Sequence, residues 1–262
     1  MIVIGELING MYKDVRKAIE KKEIDVIQHL ARDQVKAGAK ALDVNTGPYS
    51  KNPVEDMKWL VESIQKVTDA PLSIDSTKYE VMEEGLKLAK SRPIINSTSA
   101  DDDKMERIFA LAKIYNAQVV GLTMDRSGVP NNKEKRLELA MKIVAKAMDL
   151  EISPEDLYLD PIVLPVNVAQ AQGKEVLEAI REFGLLSDPA PHTVVGLSNV
   201  SQATKQRGLI NRTFLVMAVA NGLTAAILDP LDKELMDAMI TAELVLNKNI
   251  YCDSFLDAYR KR

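Results

Sequence analysis

Eight short apolar runs punctuate the chain, and each ends in a polar or acidic residue: Ile2–Glu6, Ala39–Asn45, Pro71–Ser76, Pro93–Ser97, Gln118–Thr123, Leu157–Asp160, Thr193–Asn199 and Ala225–Asp229. Continuous apolar runs of this length are the pattern of strands buried on both faces. Helical spacing separates most of them. Between Glu23 and Ala37 the positions Ile24, Ile27, Leu30, Ala31 and Val35 form one stripe, which Gly38 stops. Asp101–Tyr115 opens on three aspartates, suited to the positive end of a helix dipole, and continues with Met105, Ile108, Phe109 and Ala112. The spacing predicts further helices at Val54–Val67, Glu80–Ala89, Glu134–Met148, Glu175–Phe183, Thr213–Ala220 and Lys233–Leu246.

Strands that alternate with helices predict a parallel sheet. Eight such repeats predict closure into an α/β fold, a single (β/α)8 TIM barrel, with its chemistry where the strands end. The 262 residues match one barrel, and with no linker or low-complexity tract the expectation is one domain over 1–262. Two connections on the catalytic side, Pro161–Gly173 and Val200–Arg212, read as long functional loops.

Composition narrows the classes. A hydrophobic fraction of 46% supports one large core, and a net charge of −4 argues against nucleic acid as a partner. Arg260-Lys261-Arg262 is the only dense basic cluster. Cys252 is the only cysteine, which excludes a disulfide within the chain or a multi-cysteine metal site and suits a reducing, cytoplasmic setting. Glu6 interrupts the first apolar run and no basic segment precedes it, so no signal peptide is expected. The stretch Phe214–Leu228 is broken by Asn221, Gly222 and Thr224 and is too short to cross a membrane. The methionines at 105, 141, 148, 217, 236 and 239 read as core filler on helical stripes. His29 falls mid-helix at the surface and His192 before strand seven, on the side away from chemistry; a histidine metal site is excluded and no metal is expected.

The polar strand ends carry the candidate chemistry. Asp75, Asn96 and Asp160 end strands three, four and six, and aim two carboxylates and one carboxamide at the barrel mouth. An ionised carboxylate only accepts hydrogen bonds, while Asn donates and accepts. The set suits a flat heterocycle with an amino group beside a ring N–H and a carbonyl, as in guanine or a pterin; the competing reading is helix capping and turn formation. Glu6 and Asp43, near the ends of strands one and two, are further candidates. Gly196-Leu197-Ser198-Asn199 ends strand seven; Gly196 allows a close backbone approach by a ligand, and Asn199 aims a neutral amide at the mouth. Arg207 and Arg212, in the loop beyond, are candidates for an anionic ligand group.

In order along the chain, Ser73-Ile74-Asp75-Ser76-Thr77, Ile95-Asn96-Ser97-Thr98, Leu159-Asp160-Pro161 and Gly196-Leu197-Ser198-Asn199-Val200-Ser201 resemble the pterin-binding superfamily. That group includes dihydropteroate synthase, the folate domain of cobalamin-dependent methionine synthase, and the methyltetrahydrofolate:corrinoid/iron–sulfur protein methyltransferases. The resemblance is closest to the last and runs from Ile4-Gly5-Glu6 to Tyr251-Cys252-Asp253-Ser254-Phe255. It implies a pterin held by Asp75, Asn96 and Asp160, with Asn199 as the catalytic residue beside the methyl-bearing nitrogen, and Glu6, Asp43, Gly196, Ser198 and Arg207 lining the pocket. It implies methyltetrahydrofolate as methyl donor, a cobalamin-type corrinoid on a corrinoid/iron–sulfur protein as acceptor, a place in the reductive acetyl-CoA pathway, and a homodimer. Dihydropteroate synthase fits less well, because Ala226-Ile227-Leu228-Asp229-Pro230 lacks the Arg-x-His element expected in strand eight. Two more classes compete with these: a barrel acting on a nucleobase or sugar phosphate, and a folate-binding module without catalysis.

Overall fold

The computed structural model describes residues 1–260. Lys261 and Arg262, part of the basic cluster named above, lie outside the described residues. Eight parallel strands close into a barrel in sequence order. They are β1 (Ile2–Asn9), β2 (Ala41–Asn45), β3 (Leu72–Asp75), β4 (Ile94–Ser99), β5 (Gln118–Leu122), β6 (Leu157–Asp160), β7 (His192–Gly196) and β8 (Ala225–Leu228). The expected TIM barrel is the observed fold. No helix among the described residues is long and apolar enough to cross a membrane.

Strand side chains alternate between the two faces of the sheet, so the strands feed two cores, β3 contributing only to the outer one. Val3, Leu42, Val44, Leu72, Ile74, Ile95, Val119, Leu157, Leu159, Val195 and Leu228 belong to the layer between sheet and helices. Ile4, Ala41, Ile94, Val120, Tyr158, Val194 and Ala225 form a second buried cluster, one residue from each of seven strands. That cluster plugs the barrel. Tyr158 also stacks on His192 with ring centroids 4.8 Å apart, so His192 packs inside the foot of the barrel, as its position before the apolar run implied.

The helices are α1 (Lys13–Lys21), α2 (Ile24–Lys36), α3 (Pro53–Ile64), α4 (Tyr79–Leu88), α5 (Asp102–Tyr115), α6 (Lys133–Asp149), α7 (Gln172–Phe183), α8 (Arg207–Ala220), α9 (Lys233–Val245) and α10 (Phe255–Arg260). Two of them, α1 and α10, are not expected from the pattern. In α1 the buried stripe is only Val15, Ala18 and Ile19 among charged residues, too narrow to stand out. A second correction concerns the segment after β7. Val200–Arg212 is not a long loop: Leu197–Ser201 forms a 3-10 turn, and α8 starts at Arg207. Arg207 and Arg212 are therefore helical. Gly208 and Asn211, poor helix formers, hide the first turns of α8 in the sequence. A third concerns the methionines: Met105, Met236 and Met239 are buried, but Met141, Met148 and Met217 are exposed.

At the mouth, the loops after β1 and β2 pack backbone against backbone. Gly47 has φ +75, and a Cβ on Gly10 would fall 2.1 Å from the carbonyl oxygen of Thr46. Only glycine fits at this contact. By contrast, nothing lies within 4 Å of a Cβ at Gly173, in the first turn of α7. Gly10→Ala is expected to destabilise the protein by about 2 kcal/mol or more through backbone overlap, whereas Gly173→Ala stabilises it by roughly 0.5–1 kcal/mol. Urea unfolding midpoints of the two variants check both signs.

Candidate functional site

The polar cup is the upward continuation of the plug. Two residues above Ile4 stands Glu6; above Ala41, Asp43; above Ile94, Asn96; above Tyr158, Asp160; above Val194, Gly196. Two residues along a strand restore the same face, so the side chains that point into the barrel stay pointed inward as the row turns from apolar to polar.

On the β2–β3–β4 side these residues form one hydrogen-bonded cluster. Ser73 Oγ donates to Asp43 Oδ1 at 2.7 Å, and Asn96 Nδ2 donates to the same oxygen at 3.1 Å. Asn45 Nδ2 donates to Asp75 Oδ2 at 2.7 Å, and Asn45 Oδ1 accepts from the Gly47 amide at 2.6 Å. Burial, and then the neighbouring Asp75 charge, hold Asp43 well above the usual carboxylate range. Asp75 is also raised by burial, against opposing hydrogen bonds from Asn45 and Asp43. Two buried carboxyls that face each other resist ionising together, and the upward push is the stronger on Asp43. Asp43 is 3% exposed and lies beneath Asn96 and Asp75, which it holds in place. A cavity of about 410 Å³ opens beside this cluster, lined by Asn45, Thr46, Asp75, Thr77 and Lys78 among others.

Asp160 stands on β6, across the cup. Its Oδ1 accepts from the Ile162 amide at 2.7 Å, and its carbonyl oxygen accepts from Thr123 N and Oγ1 at 2.9 and 3.0 Å. Ile162 has φ +64, a left-handed conformation that a β-branched residue adopts only under constraint. Arg136 of α6 holds the same connection from outside the barrel. It is fully buried, with Nε donating to Pro161 O at 2.7 Å and Nη2 to Gln172 Oε1 at 2.8 Å. Burial pushes the Asp160 carboxyl up to about 7; the Ile162 amide and the Arg136 charge pull less strongly the other way.

The third group joins β1 to β7. Ser198 Oγ donates to Glu6 Oε1 at 2.6 Å. Burial raises the Glu6 carboxyl, partly offset by Ser198, with Asp229 raising it further and Tyr12 and Arg207 lowering it. Arg207 Nε donates to Ser201 Oγ at 3.2 Å and Nη2 to the Ser198 carbonyl at 3.4 Å. Arg207 thus braces the 3-10 turn. Arg212 turns away and pairs with Glu234 at the surface. Asn199 is exposed at the mouth, on that 3-10 turn rather than on the strand itself.

Strand-end reasoning does not reach Arg136, Ser73 and Tyr12; Asp229 ends the eighth run and is not singled out there. Arg136 leaves a signal: it occupies the apolar stripe of α6 with Leu139, Ala140 and Ile143, where a charge has to have a buried task. The cup offers acceptors at Asp75 and Asp160 and carboxamides at Asn96 and Asn199. That suits a flat, donor-rich polar ring.

Residues 11–229 match the family described as pterin binding enzyme, and the chain belongs to that family of enzymes. It is 31% identical over 266 residues to the methylcorrinoid:tetrahydrofolate methyltransferase of Eubacterium limosum, covering 100% of this chain and 97% of that one. It is 29% identical over 240 residues to the methionine synthase of Mycobacterium leprae, covering 87% of this chain but only 20% of that protein. Among solved structures it resembles the dihydropteroate synthase of Yersinia pestis, with a TM-score of 0.69 at 19% identity over 94% of this chain and 93% of that one. The 7,8-dihydropteroate synthase of Vibrio fischeri gives 0.68 at 17% over 95% and 94%. These two likenesses speak to the fold.

Asp160 also sets a pH dependence of stability. Its carboxyl ionises near pH 7 when folded, against about 3.9 in an unfolded chain. Between those values the folded state holds the extra proton, so stability falls as pH rises through that window and stays low above it. Asp160→Asn removes the penalty. The variant is expected to melt higher than the wild type at pH 8 and at the same temperature near pH 4, as read by calorimetry.

Proposed function

We propose that this enzyme transfers a methyl group between N5 of a reduced folate and the cobalt of a corrinoid carried by another protein. The observation that carries the reading is the identity along the whole chain to a methylcorrinoid:tetrahydrofolate methyltransferase, combined with a cup whose donors and acceptors match a pterin. Asp75, Asn96 and Asp160 grip the pterin edges. Ionised Asp160 accepts from the ring N–H and the exocyclic amino group side by side. Asp43 keeps Asn96 and Asp75 in register beneath the ring, and Gly196, Ser198, Glu6 and Arg207 complete the wall.

In the direction away from folate, the bond between N5 and the methyl carbon breaks and its electron pair stays on nitrogen. The methyl carbon bonds to Co(I), which supplies the pair for the new bond and becomes methyl-Co(III). N5 gains a proton. A tertiary amine leaves only if that growing negative charge is met by a donor, so the interaction has to strengthen in the transition state. Asn199 provides a neutral N–H donor at the exposed side of the cup, where a bulky second substrate has access. We assign the acceptor to a corrinoid/iron–sulfur protein of the reductive acetyl-CoA pathway, with the enzyme working as a homodimer in the cytoplasm. The relative from Eubacterium limosum is named for the opposite direction, from methylcorrinoid to tetrahydrofolate. The same site serves both, since one transition state is crossed either way; the physiological direction follows from the partner.

The test is methyl transfer between methyltetrahydrofolate and Co(I) cobalamin, followed by the absorbance of methylcobalamin, with corrinoid/iron–sulfur protein compared against other corrinoid acceptors. Absence of transfer with every acceptor overturns the reading. Asn199→Ala is expected to lower kcat about 100-fold with folate affinity within about threefold; equal losses in both contradict a transition-state role. Folate affinity is expected to weaken about tenfold per pH unit below 7, where Asp160 must give up its proton to bind, and Asp160→Asn is expected to bind more weakly and lose that slope. Calorimetric titration from pH 5.5 to 8.5 reads both.

A further inference from the structure

Gly196 is not required by its backbone. Its φ of −77 and ψ of 90 are open to any residue. The reason for a glycine lies in what stands over it. A Cβ at this position would come 3.0 Å from Asn199 Nδ2, with Asn199 Cγ next at 3.9 Å, and no other atom is closer. Gly196 belongs to the inward row of β7, two residues above Val194. Its vacant side-chain position therefore faces the cup, and the carboxamide of Asn199 occupies that vacancy along the inner wall.

The turn that carries Asn199 is tied on both sides. Before it, Ser198 Oγ is bonded to Glu6 at 2.6 Å, a contact that spans the barrel seam from β7 to β1. After it, the Val200 carbonyl accepts from the Val166 amide at 2.9 Å, so the connection following β6 holds the far end. Ser201 is fully buried and receives Arg207. Asn199 is the exposed residue between these tethered neighbours. With the backbone tethered, a Cβ at Gly196 would crowd the amide nitrogen and require it to give by a few tenths of an ångström.

We propose that Gly196 and Glu6 are positioning residues for Asn199: the missing side chain at 196 seats its carboxamide against the cup wall, and Glu6, through Ser198, fixes the turn that delivers it. This inference rests on the methyl-transfer reading. It revises the expectation that the space at Gly196 is left for the ligand's approach.

Gly196→Ala is the direct probe, because alanine keeps the backbone and adds only the methyl that contends with the amide. The expected result is a kcat at least about tenfold lower, as for a catalytic group misplaced by a fraction of an ångström to an ångström. Folate affinity stays within about threefold and the melting temperature within a few degrees. On an Asn199→Ala background the same change has no further effect on kcat. For the second residue, Glu6→Ala lowers kcat, Glu6→Gln recovers most of the loss because its amide oxygen still accepts from Ser198, and Glu6→Ala adds nothing to Ser198→Ala. Gly196→Ala with wild-type kcat, or a multiplicative effect on the Asn199→Ala background, overturns the assignment of Gly196. Failure of Glu6→Gln to recover activity overturns that of Glu6. If the wild type transfers no methyl group, the functional reading fails instead. Crystal structures of wild type and Gly196→Ala then decide the positioning claim: an unmoved Asn199 amide overturns it, and a rotated one upholds it.

Discussion

The two-residue period of a β-strand is the constraint on which the rest depends. On five strands the inward-facing row begins as barrel plug and ends as cup. Ile4, Ala41, Ile94, Tyr158 and Val194 seal the interior, and the next inward positions are Glu6, Asp43, Asn96, Asp160 and Gly196. Because the plug fixes the register of every strand, it also fixes the height and direction of the polar groups above it. A one-residue slip in any strand would turn its acid outward into the helix layer, where apolar neighbours such as Val44, Ile95 and Leu159 have no hydrogen bond to offer it. Packing and site geometry are thus one problem with one solution.

Crowding acids into that cup works against their ionisation. Glu6, Asp43, Asp75 and Asp160 all have raised carboxyls, and burial is the largest cause in each case. The fold answers mainly with neutral partners: Ser73 and Asn96 on Asp43, Asn45 on Asp75, the Ile162 amide on Asp160, Ser198 on Glu6. Neutral donors tolerate the desolvated acids without quenching them, so acceptor strength remains for a ligand with N–H groups to bring. The fully buried Arg136 points its guanidinium at the Pro161 carbonyl behind Asp160 rather than into the cup. Stability given up at these positions is what equips the cup to prefer a donor-rich ring over water.

How much of this is legible in the sequence follows from which constraints are local. Parallel strands buried on both faces leave unbroken apolar runs, so eight strands and the closed barrel can be read directly. Asn96 is expected to end its strand, but β4 continues past it to Ser99. Strand ends point to the mouth, so Asp75 and Asp160 can be named from position alone. Depth cannot. Nothing in Leu42-Asp43-Val44 says that Asp43 lies beneath Asn96, because that depends on the relative height of β2 and β4 around the barrel. The end of β7 is also misleading. Leu197 and Val200 are buried like strand residues, but they belong to a 3-10 turn, whose period of three turns both into the layer between sheet and helices and leaves Asn199 exposed at the mouth. Local apolarity does not distinguish the two.

That turn explains a division of labour in the cup. Asp75, Asn96 and Asp160 sit on strands, where the ladder fixes them from both sides. Asn199 stands beyond the ladder, three residues past the end of β7, at an exposed position, as the proposed methyl transfer to a bulky second reactant requires. Leaving the strand exposes the amide but releases it from the sheet's restraint. Two of the compensating restraints are non-local, Glu6 from β1 and Val166 from the connection after β6, and the third is Arg207 at the start of the helix that follows the turn. Three separate elements converge on one turn of five residues, two of them distant from it in sequence. Such convergence costs conformational entropy at each contact. It is justified only where a side chain has to be both exposed and fixed, the condition that a donor meeting charge in a transition state imposes.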